Sequence, residues 1–330
     1  MIQFLADNID QLDLALDQLA VRDRNFDRFA LMLIDNVVEL TLLKFLQDKA
    51  NDDLLTINLS EINQKIRRPK IPWDFPGKAD EACKKGLIDS DTCGSIKTLH
   101  SFRNSAYHEG LRHESILHSL ALFYFQNACT ILSAYRPKAW GWSNSGKLSY
   151  RAMKYLGAPG IVGNYQKLFH SAYSRLNAIA ASMSENLVGD LSADFSATVE
   201  SIDGAINFLV IEEPNKKKTR NDVVIEAQLK PFIHTIEAAE FAETKDLKVA
   251  PFSEFWDNLF NNYDWPIKSD PIPDWWKSHK ALAEEKNAHK ALNLYCDFMR
   301  ETEKIGAQIN ESAAQVDWFN KMQIDSMLDE

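Results

Sequence analysis

Residues 25–48, NFDRFALMLIDNVVELTLLKFLQD, carry apolar side chains around most of a helical circumference. A helix wetted along one side shows a single apolar stripe, whereas one that is apolar nearly all round needs neighbours on several sides. The segment therefore predicts a helix at the middle of a bundle. Asp35 and Glu39 stand one turn apart on this apolar background.

The neighbouring segments repeat the helical period. Ile9, Leu12, Leu16, Leu19 and Ala20 recur at helical spacing over 8–21. The stretch RRPKIPWDFPG (67–77) holds three prolines, which stop a helix. A shorter helix is expected at about 78–86, then one N-capped by Ser90 and stopped by Gly110, then an apolar helix over 114–135. Within the last, LALFYFQNACTILSAY (120–135) is short for a bilayer span and broken by Gln126 and Asn127, so it reads as a buried bundle helix. Segment 136–164 holds five of the twelve glycines and two prolines. It predicts a connection at 137–164 between a bundle at 1–136 and a helical region of unknown role at 165–330. Gly157, Gly160 and Gly163 imitate a phosphate loop, but no strand precedes them and no Lys-Ser/Thr follows. Helices are expected at about 165–188, 191–211, 221–244, 252–262 and 274–307, with a last one to about 328. AINFLVIEEPNKKKTRNDVVIEAQ (205–228) fits two helices or a hairpin, and two helices are preferred. The fold class expected is all-α.

Charge narrows the function classes. The net charge is -10, so a nucleic-acid partner would need a local positive site rather than a basic surface. Cys83, Cys93, Cys129 and Cys296 form no C-x-x-C pair, which suggests a reducing compartment. The N-terminal MIQFLADNID has no basic region ahead of an apolar run. A cytoplasmic protein with no membrane partner is expected.

The stretch with most chemical content is LHSFRNSAYHEG (99–110). On an ideal helix of roughly 100° per residue, Ser95, Leu99, Phe102 and Ala106 share one face. His100, Asn104 and His108 recur every four residues on another, with Arg103 between. Such a row is either a solvated face or a site. HEGLRH (108–113) imitates a zinc motif, but His108 and His113 are five apart rather than four, as are His113 and His118. No metal and no cofactor are expected, and no activated Ser or Cys nucleophile is evident.

These residues resemble the signature of HEPN domains, helical bundles with an R-x(4–6)-H motif and a polar residue after the Arg. Arg103, Asn104 and His108 fill those positions. FALMLIDNVVELTLLKFL (29–46) is similar to the family's early helix, whose acidic residue would be Asp35 or Glu39. ACKKGLIDSDTCGSIKTLHSFRNSAYH (82–108) resembles its short helix, turn and motif helix. The resemblance covers about 1–136. It implies an up-and-down helical bundle and a metal-independent endoribonuclease of a bacterial defence or toxin–antitoxin type. Such an enzyme leaves 2′,3′-cyclic phosphate ends by 2′-OH attack. Arg103 would stabilise phosphate and His108 would act as general acid/base, supported by Asn104, and by Asp35 or Glu39. It further implies RNA (tRNA or mRNA) as substrate, a homodimer that brings two Arg-His sets together, and an antitoxin or regulatory protein as partner. Other members only bind a nucleotide or a protein, so a non-catalytic scaffold or sensor is the alternative. Some toxin members carry a Tyr two residues after the His; here that place is Gly110, which puts control by nucleotidyl transfer in doubt. His100 and Tyr107 flank the motif as supporting candidates.

Elsewhere KIRRPK (65–70) and KKKTR (216–220) are basic runs that read as solvated loops or as phosphate contacts. WDNLFNNYDWPIKSDPIPDWW (256–276) reads as a packing corner between helices rather than a base-stacking platform. His279, Lys286 and His289 are expected on the surface of a long charged helix.

Overall fold

A computed structural model of the chain describes residues 1–56, 71–108, 114–141, 147–157, 164–183, 186–211, 218–245, 247 and 252–328. All regular structure among them is helical. The chain divides into two compact units, Met1–Asp190 with Asn287–Asn293, and Leu191–Lys286 with Leu294–Glu330.

The first unit is built around α2 (Arg24–Thr56), which packs on α1 (Ile2–Ala20), α3 (Phe75–Lys84), α4 (Ser90–His108) and α5 (Leu117–Ala134). Ile2, Leu5, Ile9, Leu12, Leu16 and Leu19 of α1 are all buried, alternating three and four apart as an apolar stripe must. Ala30, Leu31, Ile34, Val37, Val38, Leu42 and Leu46 of α2 are buried with them. Glu114–Ala134, a 3₁₀ turn running into α5, is long and apolar enough to cross a membrane, but 72% of its apolar window is buried within the fold.

Local chemistry sets the approach to α4. Pro76 lies in the first turn of α3 rather than ahead of it, because an N–H missing there has no partner to lose. Asp74 caps that helix, accepting from the Gly77 N–H at 3.1 Å. At its far end Gly86, at φ +76°, closes a Schellman turn: the Leu87 N–H donates to the Ala82 carbonyl and the Gly86 N–H to the Cys83 carbonyl. Asp89 then caps α4, its Oδ1 accepting from the Thr92 N–H at 2.7 Å. Ser90, the expected cap, is instead the first helical residue. The expected stop at Gly110 lies outside the described residues.

Segment 137–164, expected as a connection, contains a further helix, α6 (Tyr150–Leu156), and the first unit extends beyond it. Seven residues are too few to show a period. Ser149 caps α6 and Gly157, at φ +78°, ends it. Buried Asp13 on α1 fixes α6 by accepting from Arg151 (2.8 Å), Lys154 (2.8 Å) and Tyr155 (2.6 Å). Gly160 and Gly163 lie outside the described residues. α7 (Tyr165–Ala181) packs on α5, so it too belongs to the first unit rather than to a region beginning at 165.

The second unit holds most of α8 (Leu187–Ile211), then α9 (Arg220–Phe232), α10 (Ile236–Thr244), α11 (Phe252–Asn262), α12 (Ile272–Glu284) and most of α13 (Ala288–Leu328). The hairpin alternative for 205–228 is not adopted, since α8 and α9 occupy its described residues. The single helix expected at 221–244 is two, because Pro231 removes a backbone donor near the end of α9 and Thr235 caps α10. The helix expected at 274–307 breaks at Glu285–Asn287, where the Asn287 side chain accepts from the His289 and Lys290 N–H groups. Thereafter α13 runs on without the expected break after 307. Gly306 is buried within it, its Cα facing the tip of Ile202 on α8.

Candidate functional site

Asp35 sits in the middle of α2 with its side chain fully buried. A carboxylate there must be charge-compensated and hydrogen-bonded. The nearby face of α4 supplies both. His100 Nδ1 lies 2.9 Å from Asp35 Oδ1, and beside a carboxylate that nitrogen donates. Arg103 donates to Oδ2 through Nε (2.9 Å) and Nη2 (2.6 Å). The Tyr124 hydroxyl of α5 donates to Oδ1 at 2.8 Å. Burial pushes the Asp35 carboxyl up, but the hydrogen bonds and charges of His100, Tyr124 and Arg103 outweigh it, so the group is held below the usual aspartate value. The same burial, with the Asp35 charge, drives the Tyr124 phenol well above its ordinary value, so it remains a donor.

Arg103 is thereby aimed. Its Nη1 donates to Asn104 Oδ1 at 2.8 Å. Among the described residues three of its five guanidinium N–H donors are thus committed. The side chain retains 29% exposure. His100 is stacked flat on Phe75 of α3, ring centroids 4.1 Å apart and planes 4° from parallel. His100 and Arg103 therefore turn toward α2 rather than into solvent.

Of the two acidic candidates, Asp35 meets the motif arginine and Glu39 does not. Glu39 binds Lys78 Nζ at 2.7 Å, and the same ammonium donates to the Trp73 carbonyl at 2.8 Å. That pair holds α3 on α2. His108 is the last residue of α4; its side chain and that of Tyr107 lie outside the described residues, as do Glu109–His113 of the HEGLRH stretch. His118, whose spacing from His113 does not suit a zinc pair, sits on α5 with Nδ1 2.7 Å from Asp27 Oδ1.

Sequence reasoning missed Tyr124 and Phe75. Tyr124 had a signal: a tyrosine inside an apolar run must place its hydroxyl on a buried acceptor. Phe75, between prolines, carried none. Two readings of side-chain exposure are corrected. His279 and His289 stand on separate helices and are partly buried. His279 Nε2 is 2.9 Å from Ser192 Oγ, and His289 Nδ1 is 2.7 Å from Ser95 Oγ. Lys286 is exposed as expected. Of KKKTR, the described Lys218 pairs with Glu226 (2.6 Å), and Arg220 with Asp203 (2.5 Å) and Asp270 (2.6 Å). These two cations are fastened to carboxylates rather than offered to phosphate. KIRRPK lies outside the described residues. The corner at 256–276 does pack: Trp265 is buried, and Tyr263 and Trp265 meet Phe232. Among the described residues no group of His, Cys, Asp and Glu is arranged to hold a metal ion. The Cys93 thiol is pushed up to about 12 by burial, as is that of Cys296, so neither is an activated nucleophile.

No protein-family model, curated protein or solved structure matches this chain.

Proposed function

We propose that residues 1–136, within the first unit, form a HEPN-type, metal-independent endoribonuclease. The observation that carries this reading is the contact between Asp35 and Arg103, with Asn104 on the guanidinium's other side. A buried acid on the early helix aims the motif arginine and, among the described residues, leaves two of its N–H donors for a phosphate. In the proposed reaction the RNA 2′-OH attacks the adjacent phosphorus and the 5′-oxygen leaves, giving a 2′,3′-cyclic phosphate and a 5′-OH. Arg103 neutralises charge gathering on the phosphoryl oxygens. His108, the residue type best suited to exchanging protons near neutral pH, takes the 2′-OH proton and returns one to the leaving oxygen. A homodimer would bring two such sets to one RNA, and an antitoxin or other regulatory protein would restrain it.

A second reading has an observation of its own. Arg103 spends three donors inside the protein, which suits a structural arginine in a non-catalytic scaffold or sensor. The test incubates the full chain with total RNA in excess chelator, beside His108→Ala and Arg103→Lys variants. Chelator-resistant cleavage that His108→Ala abolishes and Arg103→Lys lowers at least tenfold supports the ribonuclease. No cleavage by any of the three, or equal cleavage by all, removes it. Arg103→Ala is the poorer variant, because it strands the Asp35 charge and confounds activity with folding.

A further inference from the structure

The second unit carries a cavity of about 500 Å³, within the range of about 300–1,000 Å³ that admits a small organic ligand. One wall is aromatic. Phe232, Tyr263 and Trp265 pack with ring centroids 4.3, 4.7 and 5.3 Å apart. Arg300 and Lys304 of α13, one turn apart, also line the cavity. Gln228 fixes the floor: its Nε2 donates to the Ile267 carbonyl at 2.7 Å, and its Oε1 accepts from the Ile267 N–H at 3.3 Å. The site therefore stands on a braced corner.

Two ligand chemistries compete for such walls. Glu237 and Glu301 also line the cavity, and aromatic rings with carboxylates suit an organic cation. Ring spacing decides against it. A cation must sit over several ring faces at once, but these rings fill the space between one another and present a wall, not a cage. Glu301 is moreover engaged by the Trp275 indole N–H at 3.0 Å. Glu237, whose charge reaches Tyr263, makes no ion pair among the described residues, but its single charge is outnumbered by Arg300 and Lys304. Lys304 makes no ion pair among the described residues, and Arg300 pairs only with Asp297 on its own helix, both groups being largely exposed, a contact worth little. A flat ring on the aromatic residues with a dianionic group at Arg300 and Lys304 satisfies both kinds of lining group.

We propose that this cavity binds a free nucleoside monophosphate, its base against Phe232 and Tyr263 and its phosphate at Arg300 and Lys304. The site lies wholly within residues 228–308, outside the region of the HEPN resemblance, and does not depend on the ribonuclease reading. Calorimetric titration of the full chain with AMP, GMP, CMP, UMP, adenosine and inorganic phosphate tests it. Saturable binding of at least one monophosphate is expected, with adenosine and phosphate each at least tenfold weaker than AMP. The exposed double variant Arg300→Gln/Lys304→Gln should weaken the monophosphate at least tenfold and leave adenosine unchanged. Tyr263→Leu should weaken both, and His108→Ala neither. The proposal is overturned if no monophosphate binds at millimolar concentration, or if the double variant binds it as well as the parent chain. Loss of an RNA oligonucleotide by the double variant, with no monophosphate bound by the parent, overturns it in favour of an RNA contact.

Discussion

At the scale of single residues, Asp35 governs the candidate site. Removing one partner of a buried charge pair strands the other, which typically costs about 3–5 kcal/mol. Asp35→Asn keeps the shape and removes the charge, so it should destabilise the chain by about that much in urea titration. Its pH behaviour has a fixed sign. The folded carboxyl titrates below the unfolded one, so its stabilisation is complete above the unfolded value of about 3.9 and is lost as pH falls through the lower folded value. The parent chain should therefore lose stability between about pH 4 and the folded value, and the Asn variant should lose less over that interval; a parallel acid limb in the two would contradict the assignment. Asp35 and Arg103 were both visible in the sequence, one as a polar residue on an apolar helix, the other by its motif. Their contact was not, because Asp35 and Glu39 lie one turn apart and periodicity cannot tell which faces α4. The choice rests on the register of α4 against α2, and on Lys78 taking Glu39.

At the scale of elements, the core helices were legible because their apolar periods are long, as in α1, α2 and α5. Their ends were less so, since an end depends on one side chain reaching one N–H. Asp89 and Ser90 are both good capping residues, and only the backbone shows which one accepts. Asp89→Ala should cost about 1 kcal/mol, and Ser90→Ala clearly less; thermal melts of the pair distinguish them. The N–H groups at the start of α4, Thr92 foremost, hold the Asp89 carboxyl below its usual range, so the benefit of this cap fades in acid. Gly77 tests a different constraint. A Cβ there would lie 2.7 Å from Pro72 Cβ, a ring atom with little freedom to yield. Gly77→Ala should destabilise by about 1–3 kcal/mol, despite alanine's better helix propensity, and a neutral or stabilising result would show that the turn before α3 can shift. Helix α6 was hidden for a different reason: its anchor, Asp13, lies far away in the sequence, and nothing local announces it.

At the scale of the molecule, the chain divides into compact units at Asp190 and Leu191, since a glycine-rich segment need not be a linker. The chain compacts through 137–190 before the second unit begins, and a short piece of α13 belongs to the first unit. That piece carries His289, whose ring binds Ser95 of α4 and meets Phe123 of α5 edge-on at 5.0 Å. His289→Ala should cost about 1–3 kcal/mol, leaving the buried Ser95 hydroxyl without this partner. The readout is hydrogen exchange, where amides of α4 and α5 should lose protection. Because Asn287–Asn293 follows residues 191–286 in the chain, a ribosome making about 5–20 residues per second needs roughly 5–20 s after finishing Asp190 to deliver it. Throughout that interval the helix bearing Arg103 lacks its His289 brace, so translation itself sets a timer on completion of the first unit, and a ribonuclease site there would mature only after residues 191–286 have been made.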